Sequence, residues 1–205
     1  MDLLSLVLTL RPTQAAPLPP RLGRAAHAVL LDRLAAHNAD LADALHTDDG
    51  VKPFTCSNVM GPRQGGRVYP EKTYLLRYTA LTADVAQALH TAFAPEQTLT
   101  FLDTPFTVEA LDSGDGGNPW TGQTDYQTLA ARHLLPSNGG PRRTWSLHLA
   151  SPTAFQSQGV TRPIPDPDLV FGSLVRTWNA FAPVALPDEG VRHYAETVVI
   201  ISRFN

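Results

Sequence analysis

In the first 111 residues of this 205-residue chain, the hydrophobic period switches between two and 3.6 in a fixed order, and this constrains the fold most. Asp2 to Arg11 contains the apolar run LLSLVLTL and reads as a buried strand. The proline-rich stretch PTQAAPLPP follows as a connector. Leu22 to Ala36 reads as a helix, with Leu22, Ala26, Val29, Leu30 and Leu34 on one face. Asn38 is placed to cap a second short helix that ends at His46. Pro53 to Met60 is strand-like, and Gly61 to Pro70 is a loop. Lys72 to Leu81 alternates, with Tyr74, Leu76 and Tyr78 facing one way. Thr82 is placed to cap a helix running through Phe93. Leu99 to Leu111 supplies one or two further strands. The order β-α-β-β-α-β is the split βαβ, or ferredoxin-like, plan.

The loop SGDGGNPWTG, Ser113 to Gly122, marks the expected boundary between one domain over residues 1–114 and another over 123–205. In the second, Tyr126 to Leu135 reads as a short helix, Arg143 to Ala150 as a strand and Asp166 to Phe181 as a helix. Phe171, Leu174 and Trp178 have helical spacing and are expected in its core. Arg192 to Arg203 begins helical or strand-like and ends in the strongly β sequence VVIIS. The fold class is therefore α+β, with tandem ferredoxin-like (RRM-like) domains. The second is expected to be only about half laid down at Asn205. The sheet edge such a half-domain leaves is expected to pair with a second copy or a partner.

Composition narrows the function. No apolar run approaches the roughly 18 residues of a membrane span. LLSLVLTL lacks the basic n-region and cleavage site of a signal peptide. Cys56 is the only cysteine, so no internal disulfide forms, in keeping with a reducing cytoplasm and a cytoplasmic protein. The net charge of −3 counts against nucleic-acid binding by the whole surface, though not against a local basic face. Of the 16 basic residues all but Lys52 and Lys72 are arginine, which suits bidentate phosphate contacts. The seven histidines and Cys56 show no metal-ligand spacing. No Walker motif or GxGxxG speaks for a nucleotide cofactor, and neither Ser151 nor Ser157 sits in GxSxG.

Four stretches carry a resemblance. The run Ser151 to Phe181 contains Ser151, Pro152, Thr153, Phe155, Pro163, Pro165, Leu169, Val170, Phe171, Leu174, Trp178 and Asn179. Leu45-His46 is followed, after an acidic turn, by Lys52-Pro53-Phe54-Thr55-Cys56-Ser57. Asn118-Pro119-Trp120 precedes Tyr126. A helix carrying Ala26 and His27 packs behind a first strand. In these residues the chain resembles the metal-independent CRISPR endoribonucleases of the RAMP superfamily, which cut repeat RNA into guides. The resemblance implies tandem ferredoxin-like domains and cleavage of a repeat hairpin or single-stranded repeat. It also implies 2′,3′-cyclic phosphate and 5′-hydroxyl ends, with no metal and no cofactor. The glycine-rich loop near the family's C-terminus has no counterpart; GPRQGG, Gly61 to Gly66, lies elsewhere. This departure bears on RNA affinity more than on the catalytic histidine.

Cutting RNA without metal takes a base near the 2′-hydroxyl, a proton donor for the 5′-oxygen and positive charge near the phosphorane. His46 stands where the family places its catalytic histidine, at a helix C-terminus that attracts positive charge, and is the candidate acid or base. Its other reading is a histidine capping helix carbonyls. Lys52 is the candidate electrostatic stabiliser, or else an ordinary strand-entry lysine. His27 is a second catalytic candidate, though its place beside Leu30 and Leu31 favours the edge of the core; His37 is held in reserve. Arg24, Arg142, Arg143, Arg162 and Arg176 are candidates for RNA contact, against solvated surface. Trp120 is either a base-stacking platform or a loop anchor. The expected partners are CRISPR repeat RNA and other CRISPR effector subunits, with a homodimer also open. The alternative is a non-catalytic RNA-binding or scaffolding subunit of a CRISPR ribonucleoprotein. A ferredoxin-like module with no RNA role is the third reading.

Overall fold

β1 (Leu3–Pro12) presents Leu4, Leu6, Leu8 and Leu10 to one side, each at most 3% exposed, and the first unit forms around that row. The computed structural model describes residues 1–114, 118–134, 144–150, 153–157 and 159–203. These fall into two compact units, Met1–Leu135 and Pro136–Asn205.

In the first unit β1 is followed by β2 (Ala16–Pro17), α1 (Gly23–His37), α2 (Ala39–Thr47), β3 (Phe54–Cys56), β4 (Arg67–Val68) and β5 (Tyr74–Ala80). Then come α3 (Ala83–Ala92), β6 (Thr98–Phe101), β7 (Thr104–Asp112), β8 (Gly122–Thr124) and α4 (Tyr126–Leu134). The main sheet runs β3-β5-β1-β7-β6, and every pairing is antiparallel. Discounting the β6 hairpin partner of β7, this is the ferredoxin-like order that the alternation of periods predicts. β2 and β4 form a separate small ribbon. β7 and β8 share one edge of β1: β7 pairs along Val7 to Pro12, and β8 along Leu3 to Ser5.

One face of the sheet holds the core. Tyr74, Leu76 and Tyr78 of β5 join the leucines of β1 against Ala26, Leu30 and Leu34 of α1 and Val85, Ala86 and Leu89 of α3. Full burial of each large apolar side chain is worth about 1.5–3 kcal/mol. The buried Tyr78 keeps its hydroxyl satisfied by donating to the Ala26 carbonyl at 2.9 Å. Its ring stacks on Phe93 at 5.2 Å, while Phe106 meets Tyr74 and Phe101 edge-on.

The helix starts are built in three ways. Asn38 Oδ1 accepts from the Leu41 amide at 3.0 Å, the expected cap. Thr82 holds the cap position of α3 but does not cap through its side chain: its hydroxyl is buried with no hydrogen bond among the described residues. The Asp84 carboxylate takes the Val85 amide instead, at 2.9 Å; an ionised acceptor competes well for that donor. α1 has no cap of its own, and Asn58, beyond β3, accepts the Leu22 amide at 2.8 Å.

The second unit contains the hairpin β9 (Phe155–Ser157) and β10 (Val160–Arg162), then α5 (Pro167–Phe181) and α6 (Asp188–Val198). Pro167 opens α5, where its missing N–H is not needed. Asn179 ties the turn between the helices, donating to the Leu186 carbonyl at 2.9 Å and accepting its amide at 2.8 Å. Arg192 of α6 reaches across to the Gly172 carbonyl at 3.1 Å. A Cβ at Gly172 would stand 2.4 Å from Arg192 Nη1, so glycine permits this crossing.

Three expectations fail here. The described residues 144–150 of the expected strand at Arg143 to Ala150 carry no regular structure, although Trp145, Leu147 and Leu149 alternate as in a strand. Residues 199–203, including most of VVIIS, form no strand either. In both cases β propensity meets no neighbouring ladder among the described residues. Nor are Phe171, Leu174 and Trp178 a buried core: Leu174 is 58% exposed and the other two are half-buried. The residues that α5 does bury are Gly172 and Val175, because its tight face is the one crossed by α6.

Candidate active site

α2 ends in Thr47, and the chain turns through residues 48–53 before entering β3. The turn is tied at several points. Thr47 Oγ1 donates to the Asp43 carbonyl at 2.9 Å, and Asp48 Oδ1 accepts from the Gly50 amide at 2.8 Å. Lys52 then folds back on the helix end: Nζ donates to the Leu45 carbonyl at 2.8 Å and also to the Asp48 carbonyl. A lysine on the last carbonyls of a helix satisfies groups that have no partner within the helix.

His46 sits in the last turn of α2 and is exposed. Its side chain lines a shallow groove between α1 and α2, together with Leu31, Asp32, Ala35, Ala39, Ala42 and Asp43. The bond from Lys52 to Leu45 fixes the ammonium beside the residue that precedes His46. His27 is half-buried on α1, with its ring 5.5 Å from that of Phe54, the first residue of β3. The three candidates thus come from α1, α2 and the turn that joins α2 to β3. His37 is exposed in the last turn of α1.

Of the arginines read as RNA contacts, Arg24 is exposed in the first turn of α1. Arg176 is exposed on α5, and Arg162 is exposed with Nη1 3.6 Å from Asp166. Arg142, Arg143, Ser151 and Pro152 lie outside the described residues. Trp120 is anchored: its amide donates to Asn118 Oδ1 at 3.0 Å, its carbonyl accepts from Ser5 Oγ at 2.5 Å, and its ring faces the Arg77 guanidinium at 5.5 Å. The sequence reading passed over Arg77. The signal was there, a cation at an outward position of an otherwise apolar and hydroxylated alternating strand.

Burial pushes the Cys56 thiol up to about 12, which disfavours the thiolate near neutral pH. Among the described residues no three His, Cys, Asp or Glu side chains gather to hold a metal ion. No described helix is long and apolar enough to cross a membrane.

The family model for the CRISPR-associated endoribonuclease Cas6 matches residues 147–200. The chain is similar to the product complex of one Cas6, TTHB231, over 95% of this chain and 72% of that one, at 25% identity and a TM-score of 0.69. A second Cas6 in product complex, TTHA0078, is 29% identical over 95% of this chain and 70% of that one, with a TM-score of 0.68. In fold, this chain is similar to Cas6 proteins. A further structure of the Thermus thermophilus Cas6 TTHB231 repeats the fold at 23% identity, over 100% of this chain and 73% of that one, with a TM-score of 0.65. No curated protein matches. The Cas6 family match lies within the second unit, whereas His27, His46 and Lys52 all lie in the first. The fold, and not the matched segment, therefore links the candidate site to the Cas6 proteins.

Proposed function

We propose that this chain is an endoribonuclease that cuts CRISPR repeat RNA without a metal ion, with His46 as its acid or base. The observation that carries the reading is the exposed imidazole of His46 in the last turn of α2, with the Lys52 ammonium held at the same helix end on the Leu45 carbonyl. The likeness to Cas6 proteins solved with their products supports the substrate class. In the proposed reaction the 2′-hydroxyl oxygen attacks the adjacent phosphorus and the bond to the 5′-oxygen breaks. The proton of the 2′-hydroxyl leaves to a base, and the 5′-oxygen receives one from an acid. His46 serves one of these two transfers. The products are a 2′,3′-cyclic phosphate and a 5′-hydroxyl. Lys52 steadies the negative charge of the phosphorane through its field and its remaining N–H. His27, half-buried against Phe54, is the second catalytic candidate. Arg24, Arg142, Arg143, Arg162 and Arg176 are the proposed contacts to RNA.

One observation favours a second reading, the non-catalytic RNA-binding subunit: Lys52 already serves two carbonyls. The deciding experiment incubates the protein and His46→Ala with labelled repeat RNA in EDTA under single-turnover conditions. Cutting by the unaltered protein alone, leaving cyclic phosphate ends, supports the enzyme. Equal cutting by His46→Ala removes His46 from it, and binding without cutting selects the second reading.

A further inference from the structure

Ser5 is the last β1 residue paired with β8, just before pairing passes to β7. It links two other elements there. Its Oγ accepts from Arg77 Nε at 2.7 Å and donates to the Trp120 carbonyl at 2.5 Å. Arg77 is held from behind as well: its amide donates to Ser57 Oγ at 2.8 Å, and its carbonyl accepts the Ser57 amide at 2.9 Å. Its guanidinium carbon lies 5.5 Å from the centre of the Trp120 ring, a cation–π distance. Since Leu76 and Tyr78 point into the core, alternation along β5 places Arg77 on the opposite face of the sheet, next to the buried Val7 of β1.

The arginine is half-buried, and burial pushes it below its ordinary value. Arg11, Arg33, Arg162 and Arg192 each meet a carboxylate, while Arg77 meets none among the described residues. Asp112 lies in the same row across β1, two strands away, and its Oδ1 accepts the Gly114 amide at 3.1 Å. Ser5 uses only Nε, so the two terminal nitrogens offer four N–H donors with no protein acceptor among the described residues. A cation drawn partly out of water without an anion is unfavourable, yet the surrounding bonds hold this one in place.

We infer that Arg77, positioned by Ser5 and Trp120, binds a backbone phosphate of RNA on the face of the first unit's sheet that lies opposite its core. The inference rests on the RNA-processing reading above. A phosphate would accept two parallel N–H bonds from the guanidinium fork, and the indole face would keep the fork's plane from turning.

The test is the affinity of the protein and of Arg77→Gln for 2′-O-methyl repeat RNA, which cannot be cut, across a series of salt concentrations. Arg77→Gln should bind about tenfold more weakly, and its salt dependence should flatten by about one phosphate contact. A residue that only locks the Trp120 loop would leave the salt slope where it was. RNA binding by the unaltered protein, with equal affinity and slope in Arg77→Gln, overturns this inference alone. No RNA binding by the unaltered protein overturns the RNA reading itself. Should Arg77→Gln fail to fold, the Nε resonance of Arg77 in ¹⁵N-labelled protein, assigned by its loss in Arg77→Lys, decides. It must move when the RNA is added, and an unmoved resonance overturns the proposal.

Discussion

The two units use apolar side chains in opposite ways. The first closes a single core over one sheet face, with Leu8, Leu10, Leu30, Leu34, Tyr74 and Tyr78 all at 0% exposure. The second pins two helices together by side-chain bonds to backbone, at Asn179 and Arg192, and leaves Leu174, Tyr194 and Ile200 at 58%, 60% and 82% exposure. Yet the family signal lies in the second unit, while the candidate chemistry lies in the first. The sequence signature thus lies apart from the candidate site. Here it covers a helical pair whose recognisable residues, Trp178 and Asn179, hold a turn: Trp178 Nε1 donates to the Val184 carbonyl at 2.7 Å, and Asn179 bonds Leu186.

The contrast breaks most sharply at His46. If the chemistry lies in the first unit, His46→Ala should lower single-turnover cleavage by about 10²- to 10⁴-fold with the unfolding midpoint unchanged. Truncations in the second unit that leave RNA binding intact should not reproduce that loss. Next in size is the core. Leu8→Ala should cost about 2–5 kcal/mol in urea unfolding, whereas Leu174→Ala should stay within about 0.5 kcal/mol. Equal losses would mean that Leu174 is buried in solution. Asn179→Ala should cost about 1–3 kcal/mol by orphaning the Leu186 amide and carbonyl, and the loss should be seen as faster hydrogen exchange confined to α5 and α6.

The smallest effect concerns Cys56. Its thiol is raised from an ordinary 9.0 to about 12, so the folded state keeps its proton where the unfolded state has lost it. That contribution to stability is complete below about pH 9 and is lost as pH climbs towards 12. Alkylation at pH 8 should therefore follow opening of the first unit. Rapid alkylation under native conditions would contradict the burial.

The first unit was legible in the sequence because each strand and helix there answers to one face. The leucines of β1 alternate, α1 repeats Ala26, Leu30 and Leu34, and burial follows both periods. Local period failed where a strand needs a partner that periodicity cannot supply, as at Trp145, Leu147 and Leu149. The candidate site was half legible. His46 could be placed at a helix end from Asn38 and the apolar spacing. The return of Lys52 to the Leu45 and Asp48 carbonyls depends on a turn whose path no pattern encodes. Arg77 escaped for a related reason. Its partners, Ser5, Ser57 and Trp120, are distant in sequence, and only the pairing of β5, β1 and β8 brings them together.

β7 and β8 lie along the same edge of one strand, so the stretch between them is anchored at both ends to β1. The position of its anchors does not depend on its length. Closing a loop twice as long costs only about 0.6 kcal/mol more. Changes of length there would leave the sheet register intact on either side, provided that Trp120 keeps its bond to Ser5.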